Sequence, residues 1–342
     1  MVSAYASAGS TASPRAFPLV VSDDLSQNAL SAFVATFIYS IVGLIASKNQ
    51  YFGPGGRFVL FVLTLLVLTF VVLMFVAWID RIARLGRISV TIEQVERAAS
   101  KSLRARRANL LLGGQPLRTP TGHRLALHVD EVGFLRHIDM TGLQHAAAQA
   151  NLRFEIVSLP GAFVTPDRAI AYCVSPAPHD NDQLRRLIRT HFVIGRDRTF
   201  EDDPRFGLVV LSQIAGRALS PAVNDPGTAI DVIGVLVRLL LDWNAHGYSD
   251  DTDPALYDRI SVPPLNEHDM LDDAFTAIER DGVGTIEVAE RLLTGLETLA
   301  RLGNPSMRAA ALRHAGRTIA LAERVPHLPA DRAIIAERSA FV

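Results

Sequence analysis

Arginine and aspartate side chains that could bind a charged ligand are concentrated in two segments of the chain. The first is Gly195-Arg-Asp-Arg-Thr-Phe-Glu-Asp-Asp-Pro-Arg-Phe-Gly207, and the second is Arg217-Ala-Leu-Ser-Pro-Ala-Val-Asn-Asp-Pro-Gly-Thr-Ala229. Each contains an Asp-Pro step, which predicts a helix start because aspartate caps free N–H groups and proline fits the first helical position. The candidate ligand or ion residues in these segments are Arg198, Asp203, Arg217, Ser220, Asn224, Asp225 and Thr228.

Three interpretations of the two segments stay open. Two helix N-termini could converge beside arginines and bind an anion or a phosphate group. Carboxylates could instead bind a hard cation such as Ca²⁺ or Mg²⁺, although they have no fixed ligand spacing and we predict no metal site. The third interpretation is structural: Asp203 and Asp225 cap the helices that follow, and Asn224 permits the turn. The arginines are Arg196, Arg198, Arg205 and Arg217, and the carboxylates are Glu201, Asp202, Asp203, Asp225 and Asp231.

A second set of candidate residues is small or carries a hydroxyl group and recurs every three or four positions: Ala32, Thr36, Ser40, Gly43 and Ser47. This spacing places all five on one helical face. On a membrane helix such a face is typical of close helix packing. It could also line a water-filled path, and both interpretations remain open.

Motifs of enzymes are missing from the sequence. It contains no phosphate-binding loop, no dinucleotide-binding glycine motif, no Gly-x-Ser-x-Gly elbow and no His-Glu-x-x-His. The ten histidines are scattered, and the lone Cys173 excludes an internal disulfide and a thiolate metal cluster. We therefore expect no enzymatic activity, no cofactor and no metal. The net charge of −1 gives no basic field, so we expect no nucleic-acid partner.

Two uncharged apolar runs near the N-terminus predict membrane helices. Residues 58–79 contain no charged side chain and would span about 33 Å as a helix, which is enough for the hydrocarbon core. Residues 30–47 are also uncharged, and a Gly-Pro-Gly-Gly turn lies between the two runs. We predict an N-terminal linker over residues 1–27 and a two-helix transmembrane hairpin over residues 28–79, with the lipid bilayer as its partner.

The distribution of positive charge predicts the orientation of the hairpin. Residues 81–107 carry eight lysines or arginines, whereas Arg57 is the only charged residue between Lys48 and Asp80. Because positive residues accumulate on the cytoplasmic side, both ends of the hairpin should be cytoplasmic. We expect a multi-pass protein of the inner membrane with N- and C-termini in the cytoplasm.

The remainder of the chain is predicted to lie outside the bilayer as a cytoplasmic α+β region. Residues 80–109 predict a basic helix that lies on lipid headgroups, projects as a stalk, or has a solvated face. Residues 110–178 predict a small β-rich module, and residues 179–342 predict a helical domain. The expected fold is therefore a membrane α-helical hairpin, followed by a small β-rich module and a helical domain.

The two charged segments, together with Pro160-Gly-Ala-Phe-Val164 and Ser13-Pro-Arg15, resemble the bacterial predicted membrane protein family called domain of unknown function 2254. The resemblance runs from about Ala4 to about Ala300. It implies an inner-membrane protein of unassigned activity and a further pair of membrane helices ahead of Ser13-Pro-Arg15. Because that element lies at residues 13–15, we expect either a short member or a truncated start, and the small-residue face should meet partner helices or a second copy.

Two functions are expected from these patterns. The first is a homo-oligomeric channel or transport-like assembly with a cytoplasmic regulatory domain, in which Thr36, Ser40 and Ser47 face inward. The alternative is a membrane-anchored ligand-binding or sensor module without transport activity, in which residues 195–229 hold an anionic ligand.

Overall fold

The architecture is that of a computed structural model, which describes residues 13–16, 19, 24–49, 53–85, 88–117, 123–175, 181–245, 255–326 and 328–342. The chain divides into two compact units, Met1–Gln94 and Val95–Val342. Two apolar helices are followed by a mixed α/β region with sheets and by a helical C-terminal part. The predicted fold class is therefore confirmed.

The first unit contains the two helices of the hairpin, α1 (Asp24–Lys48) and α2 (Pro54–Leu85). Their candidate membrane spans, Asn28–Lys48 and Gly55–Asp80, have mean hydropathies of 2.1 and 3.2. Only 6% of the first span and 0% of the second is buried inside the protein. A core helix of a soluble protein would be mostly buried, so these apolar surfaces fit a lipid environment.

The two hairpin helices run antiparallel and contact each other through aromatic and hydroxyl side chains. Phe33 of α1 lies edge-on to Phe75 and Trp78 of α2, with ring centroids 6.1 and 6.2 Å apart. Near the other end, the hydroxyl groups of Tyr39 and Thr64 form a hydrogen bond of 3.0 Å. The aromatic contacts lie between the first part of α1 and the last part of α2.

The basic segment that follows the hairpin is helical on both sides of residues 86–87, which lie outside the described residues. Helix α2 extends to Leu85, and helix α3 spans Ile88–Ala108. Within the second unit, Val95, Ala99 and Leu103 form a buried stripe of α3 with a spacing of four residues. The Cα of Gly207 lies so close to Ala99 that a larger side chain at position 207 would collide with it.

Two small sheets form the β-rich part of the second unit. A five-stranded sheet has the order β1-β8-β4-β6-β2, and a three-stranded antiparallel sheet has the order β5-β3-β7. The strands are β1 (Gln115–Pro116), β2 (His123–His128), β3 (Gly133–Ile138), β4 (Arg153–Ile156), β5 (Phe163–Val164), β6 (Ala169–Ser175), β7 (Phe192–Gly195) and β8 (Ile260–Val262). Two helices accompany them, α4 (Met140–Gln149) and α5 (Asn181–His191). Strands β7 and β8 come from the part of the chain predicted to be helical.

A bundle of helices forms the rest of the second unit. Its members are α6 (Phe206–Ala218), α7 (Pro226–Asn244), α8 (Glu267–Gly282), α9 (Ile286–Leu302), α10 (Pro305–Ala322) and α11 (Pro329–Arg338). Two predicted helix starts are confirmed, because Asp225 caps α7 and Asn304 caps α10, each followed by proline. The bundle core is formed by fully buried aliphatic residues together with Phe275 of α8.

Candidate functional site

The polar groups of the second charged segment bond to one another around the turn between α6 and α7. Ser220 donates from Oγ to the carbonyl oxygen of Arg217 at 2.7 Å, and Asn224 has a left-handed φ of 50°. Asp225 accepts from the Thr228 backbone N–H at 3.1 Å and from its Oγ1 at 2.6 Å. These bonds, first the one from the Thr228 hydroxyl, lower the pKa of Asp225. The arrangement is a capped helix start, as the structural interpretation expects.

The first charged segment is built around Asp203, which is only 2% exposed. Arg198 donates to both of its carboxylate oxygens, from Nε at 2.6 Å and from Nη2 at 3.0 Å. The backbone N–H of Arg205 donates to the same carboxylate at 3.1 Å. Helix α6 begins at Phe206, two residues later than the Asp203-Pro204 step predicts. The reason is that the Asp203 carboxylate binds Arg198 and the backbone N–H of Arg205, the residue that precedes the helix.

The guanidinium of Arg205 is also bound within the protein. It donates from Nε to Asp273 at 2.6 Å and from Nη1 to Asp269 at 2.8 Å. Burial alone would lower the pKa of Arg205, but the two carboxylates raise it above the ordinary value. Burial in turn raises the pKa of Asp273, and Arg205 opposes that change.

The remaining contacts of the first segment reach strand β3. His137 Nδ1 lies 2.8 Å from a carboxylate oxygen of Asp202, and Arg136 donates from Nε to the carbonyl oxygen of Asp197 at 2.8 Å. The segment thus connects the three-stranded sheet to the start of α6, and its polar contacts with β3 stabilise this connection.

The structure does not bring the two charged segments together. Arg198 and Asp203 lie before the first turn of α6, whereas Arg217, Ser220 and the Asp225 cap lie after its last turn. Thirteen helical residues separate the two groups, which corresponds to about 20 Å. The helix N-termini of α6 and α7 therefore do not converge on one ligand. Among the described residues, no group of three or more histidine, cysteine or acidic side chains is placed to hold a metal ion.

The predicted small-residue face of α1 is partly turned toward α2. Ala32, Thr36 and Gly43 are half-buried, and a Cβ at position 43 would reach van der Waals contact with Leu60. Ser40 and Ser47 are exposed at the edge of this face, and Ser40 donates to the carbonyl oxygen of Thr36 at 2.8 Å.

One buried cation was not among the residues selected from the sequence. Arg106 of α3 is 5% exposed, and its three guanidinium nitrogens have no hydrogen-bond acceptor in the described part of the chain. Burial lowers its pKa to about 10, against the opposing charge of Asp202. The burial of Arg106 could have been recognised from the sequence by the apolar spacing of Val95, Ala99 and Leu103. Arg106 lies three residues after Leu103, close to the same buried stripe of the helix.

The comparisons with known proteins agree with the membrane assignment. The family described as predicted membrane protein (DUF2254) matches residues 1–298. Uncharacterized proteins of Mycobacterium bovis and of Mycobacterium tuberculosis are each 34% identical over 119 residues, which is 34% of this chain and 23% of each relative. The aligned part of the chain thus spans about a quarter of the length of these relatives. No solved structure matches the chain. With a family match over most of its length, the chain belongs to the predicted membrane protein family DUF2254.

Proposed function

We propose that the protein is a membrane-anchored ligand-binding module without enzymatic activity, in which residues 95–342 bind an anionic ligand. The observation that carries the proposal is the buried guanidinium of Arg106, which has no acceptor among the described residues. Buried polar groups without partners are rare in folded proteins, and an unpaired buried charge is costly. A ligand that supplies the missing acceptors would account for both.

Hydroxyl groups in the hairpin support an anchoring role for the two membrane helices. Thr64 and Thr69 donate to the carbonyl oxygens of Leu60 and Leu65, four residues earlier, at 2.7 and 2.9 Å. Tyr39 and Thr64 bond to each other across the hairpin. Polar groups satisfied inside the helices suit a segment surrounded by lipid.

A ligand screen with the full-length protein in mild detergent tests this function. Thermal unfolding is followed with a panel of anionic, cationic and neutral compounds at constant ionic strength. A ligand that binds only the folded state raises Tm with its concentration. We expect at least one class of anion to stabilise the protein. A panel in which no anion raises Tm would contradict the proposal.

A homo-oligomeric channel or transport-like assembly is the second candidate. It is favoured by the exposed hydroxyl groups of Ser40 and Ser47, which lie beside the half-buried positions of α1. A single hairpin cannot enclose a path, so this function requires self-association or partner helices. The oligomeric state in mild detergent and solute flux in liposomes test it. A ring whose flux falls in Ser40→Leu would support the channel, and a monomer without flux would exclude it.

An inner-membrane location with both ends of the hairpin in the cytoplasm is proposed from the eight positive residues in the range 81–107. Cys173 is buried and its pKa is raised to about 11 by burial, so it should not react with maleimides and should not obscure the labelling of introduced cysteines. In the proposed orientation, Asn49→Cys should react in intact cells with an impermeant maleimide, whereas Glu337→Cys should react only after lysis. The opposite labelling would reverse the orientation.

A further inference from the structure

Two neighbouring polar side chains on α3 are buried without partners. The Oγ of Ser102 and the guanidinium nitrogens of Arg106 have no hydrogen-bond partner within the described part of the chain, although the two residues are each only 5% exposed. Residues four positions apart on a helix share one face and lie about 6 Å apart at their Cβ atoms. A hydroxyl group and a guanidinium are therefore available at the same buried place.

The guanidinium of Arg106 carries its full charge at neutral pH. Burial lowers its pKa only to about 10, and the negative charge of Asp202 opposes this change. The carboxylate of Asp202, however, is bound by His137 Nδ1 at 2.8 Å, and about half of its side chain is exposed. The negative charge of Asp202 therefore attracts the guanidinium of Arg106, but the two groups form no hydrogen bond.

Other arginines in the same unit differ from Arg106 because carboxylates bind them. Arg198 is paired with Asp203, and Arg205 with Asp269 and Asp273. On α3 itself, the exposed Arg104 pairs with Asp242 at 3.0 Å. A buried cation without such a partner fits a site whose counter-ion comes from outside the chain.

We propose that Arg106 and Ser102 bind a small oxyanion of the phosphate type. The inference rests on the proposed ligand-binding function and names its site and ligand chemistry. A guanidinium presents a planar fork of N–H donors that matches phosphate oxygens, and a serine hydroxyl can donate a further bond. Inorganic phosphate and the phosphomonoester headgroup of a lipid share this chemistry.

Thermal unfolding of the full-length protein in non-ionic detergent tests the site. Wild-type Tm should rise with the concentration of inorganic phosphate and not with chloride at matched ionic strength. Arg106→Met should abolish the response to phosphate without lowering the phosphate-free Tm, because the variant no longer buries a charge. Ser102→Ala should weaken phosphate affinity by on the order of tenfold, the effect of one hydrogen bond to a charged group.

A matched control separates this site from general effects of positive charge. Arg104→Gln removes the same charge from the same helix, at a side chain that is 70% exposed. Its response to phosphate should equal that of the wild type. Vesicles that contain phosphatidic acid, compared with vesicles of neutral lipid, distinguish a lipid headgroup from free phosphate as the source. A response to the vesicles alone would assign the headgroup.

The competing explanation is that Asp202 leaves His137 in solution and pairs with Arg106. Asp202→Asn distinguishes the two, since it removes a charge that repels an anion. Under the proposal this variant binds phosphate more tightly, and its phosphate-free Tm falls only slightly, because Asp202 makes no hydrogen bond to Arg106 and its contact with His137 is half-exposed. If Asp202 is the true partner, the phosphate-free Tm falls and phosphate has no effect on the wild type. This test still applies if Arg106→Met does not fold.

Failure of the site and failure of the proposed function give different results. A stabilising anion whose effect survives in Arg106→Met would overturn the site and leave the ligand-binding function standing. Absence of any stabilising anion, including phosphate and the phosphatidic acid vesicles, would overturn both.

Discussion

Removal of one partner of the buried pair formed by Arg198 and Asp203 should strongly destabilise the second unit. Asp203 is 2% exposed and the Arg198 side chain is 16% exposed, so water weakens their attraction little. The carboxylate accepts two bonds from Arg198 and one from the Arg205 backbone N–H. Asp203→Ala removes all three acceptor contacts and leaves the Arg198 charge unpaired in a largely buried place.

The magnitude follows from the number and type of these contacts. Hydrogen bonds to charged groups each contribute about 1.5–3 kcal/mol, and removal of one partner of a buried ion pair costs about 3–5 kcal/mol. We therefore expect Asp203→Ala to lower the free energy of unfolding by about 3–5 kcal/mol. Asp203→Asn keeps the shape and part of the hydrogen bonding, and should cost about 2 kcal/mol.

Tryptophan fluorescence can report this change in the full-length protein. The chain has two tryptophans, of which Trp243 is 7% exposed in α7 and Trp78 belongs to the hairpin. In a Trp78→Phe background, guanidinium unfolding in non-ionic detergent is then followed through Trp243 alone. A double-mutant cycle with Arg198→Ala should give a double variant that is less destabilised than the sum of the single variants.

An exposed pair of the same chemistry provides the control. Arg338 donates from Nε and Nη2 to one oxygen of Glu290, and both side chains are more than a third exposed. Glu290→Ala should change stability by less than about 1 kcal/mol. If Asp203→Ala is no more destabilising than this control, the Arg198–Asp203 pair is not a structural one, and a ligand-binding role for the segment becomes the better explanation.

Three further perturbations test other parts of the molecule. Glu279→Ala should cost about 3–5 kcal/mol in the same unfolding assay, because Glu279 is completely buried and its loss removes its contacts with His314 and with Arg317 Nε. Asp225→Ala should cost about 1 kcal/mol by loss of a helix cap. Since hydrogen bonds from Thr228 lower the pKa of Asp225, its contribution is complete above its ordinary pKa of about 3.9 and disappears as the pH falls through the lowered value, so wild type and variant should converge in acid. Tyr39→Phe should weaken the hairpin by only about 0.6 kcal/mol, as measured by dodecyl sulfate titration.

Local sequence patterns were sufficient for much of the fold. Hydropathy alone identified both candidate membrane spans, because a helix satisfies the backbone hydrogen bonds of a long apolar segment within the segment itself. Asp225 and Asn304, each before a proline, located the starts of α7 and α10. The Asp203-Pro204 step has the same local pattern but lies two residues before its helix, since Arg198 and the backbone N–H of Arg205, five and two residues away, bind the carboxylate.

Strands β7 and β8 could not be recognised from their own residues. They contain four and three residues, which is too few for an alternating pattern to stand out. Their partners are remote in sequence: β7 pairs with β3, and β8 lies between β1 and β4 in parallel pairing. Hydrogen bonding to those neighbours, rather than local propensity, makes them strands.

The sequence by itself determined the two apolar N-terminal helices, the order of helices and the residues of the charged segments, because these depend on composition and on contacts within one or two helical turns. Only the tertiary structure decided which charges meet. It separated the two segments by the length of α6 and paired Arg198 and Arg205 with carboxylates. It also buried Arg106, one of eight positive residues in a run that is otherwise typical of a solvated helix face. The reason is physical: the side chain's type is set by the chain, but its solvation and its partners are set by whatever packs around it.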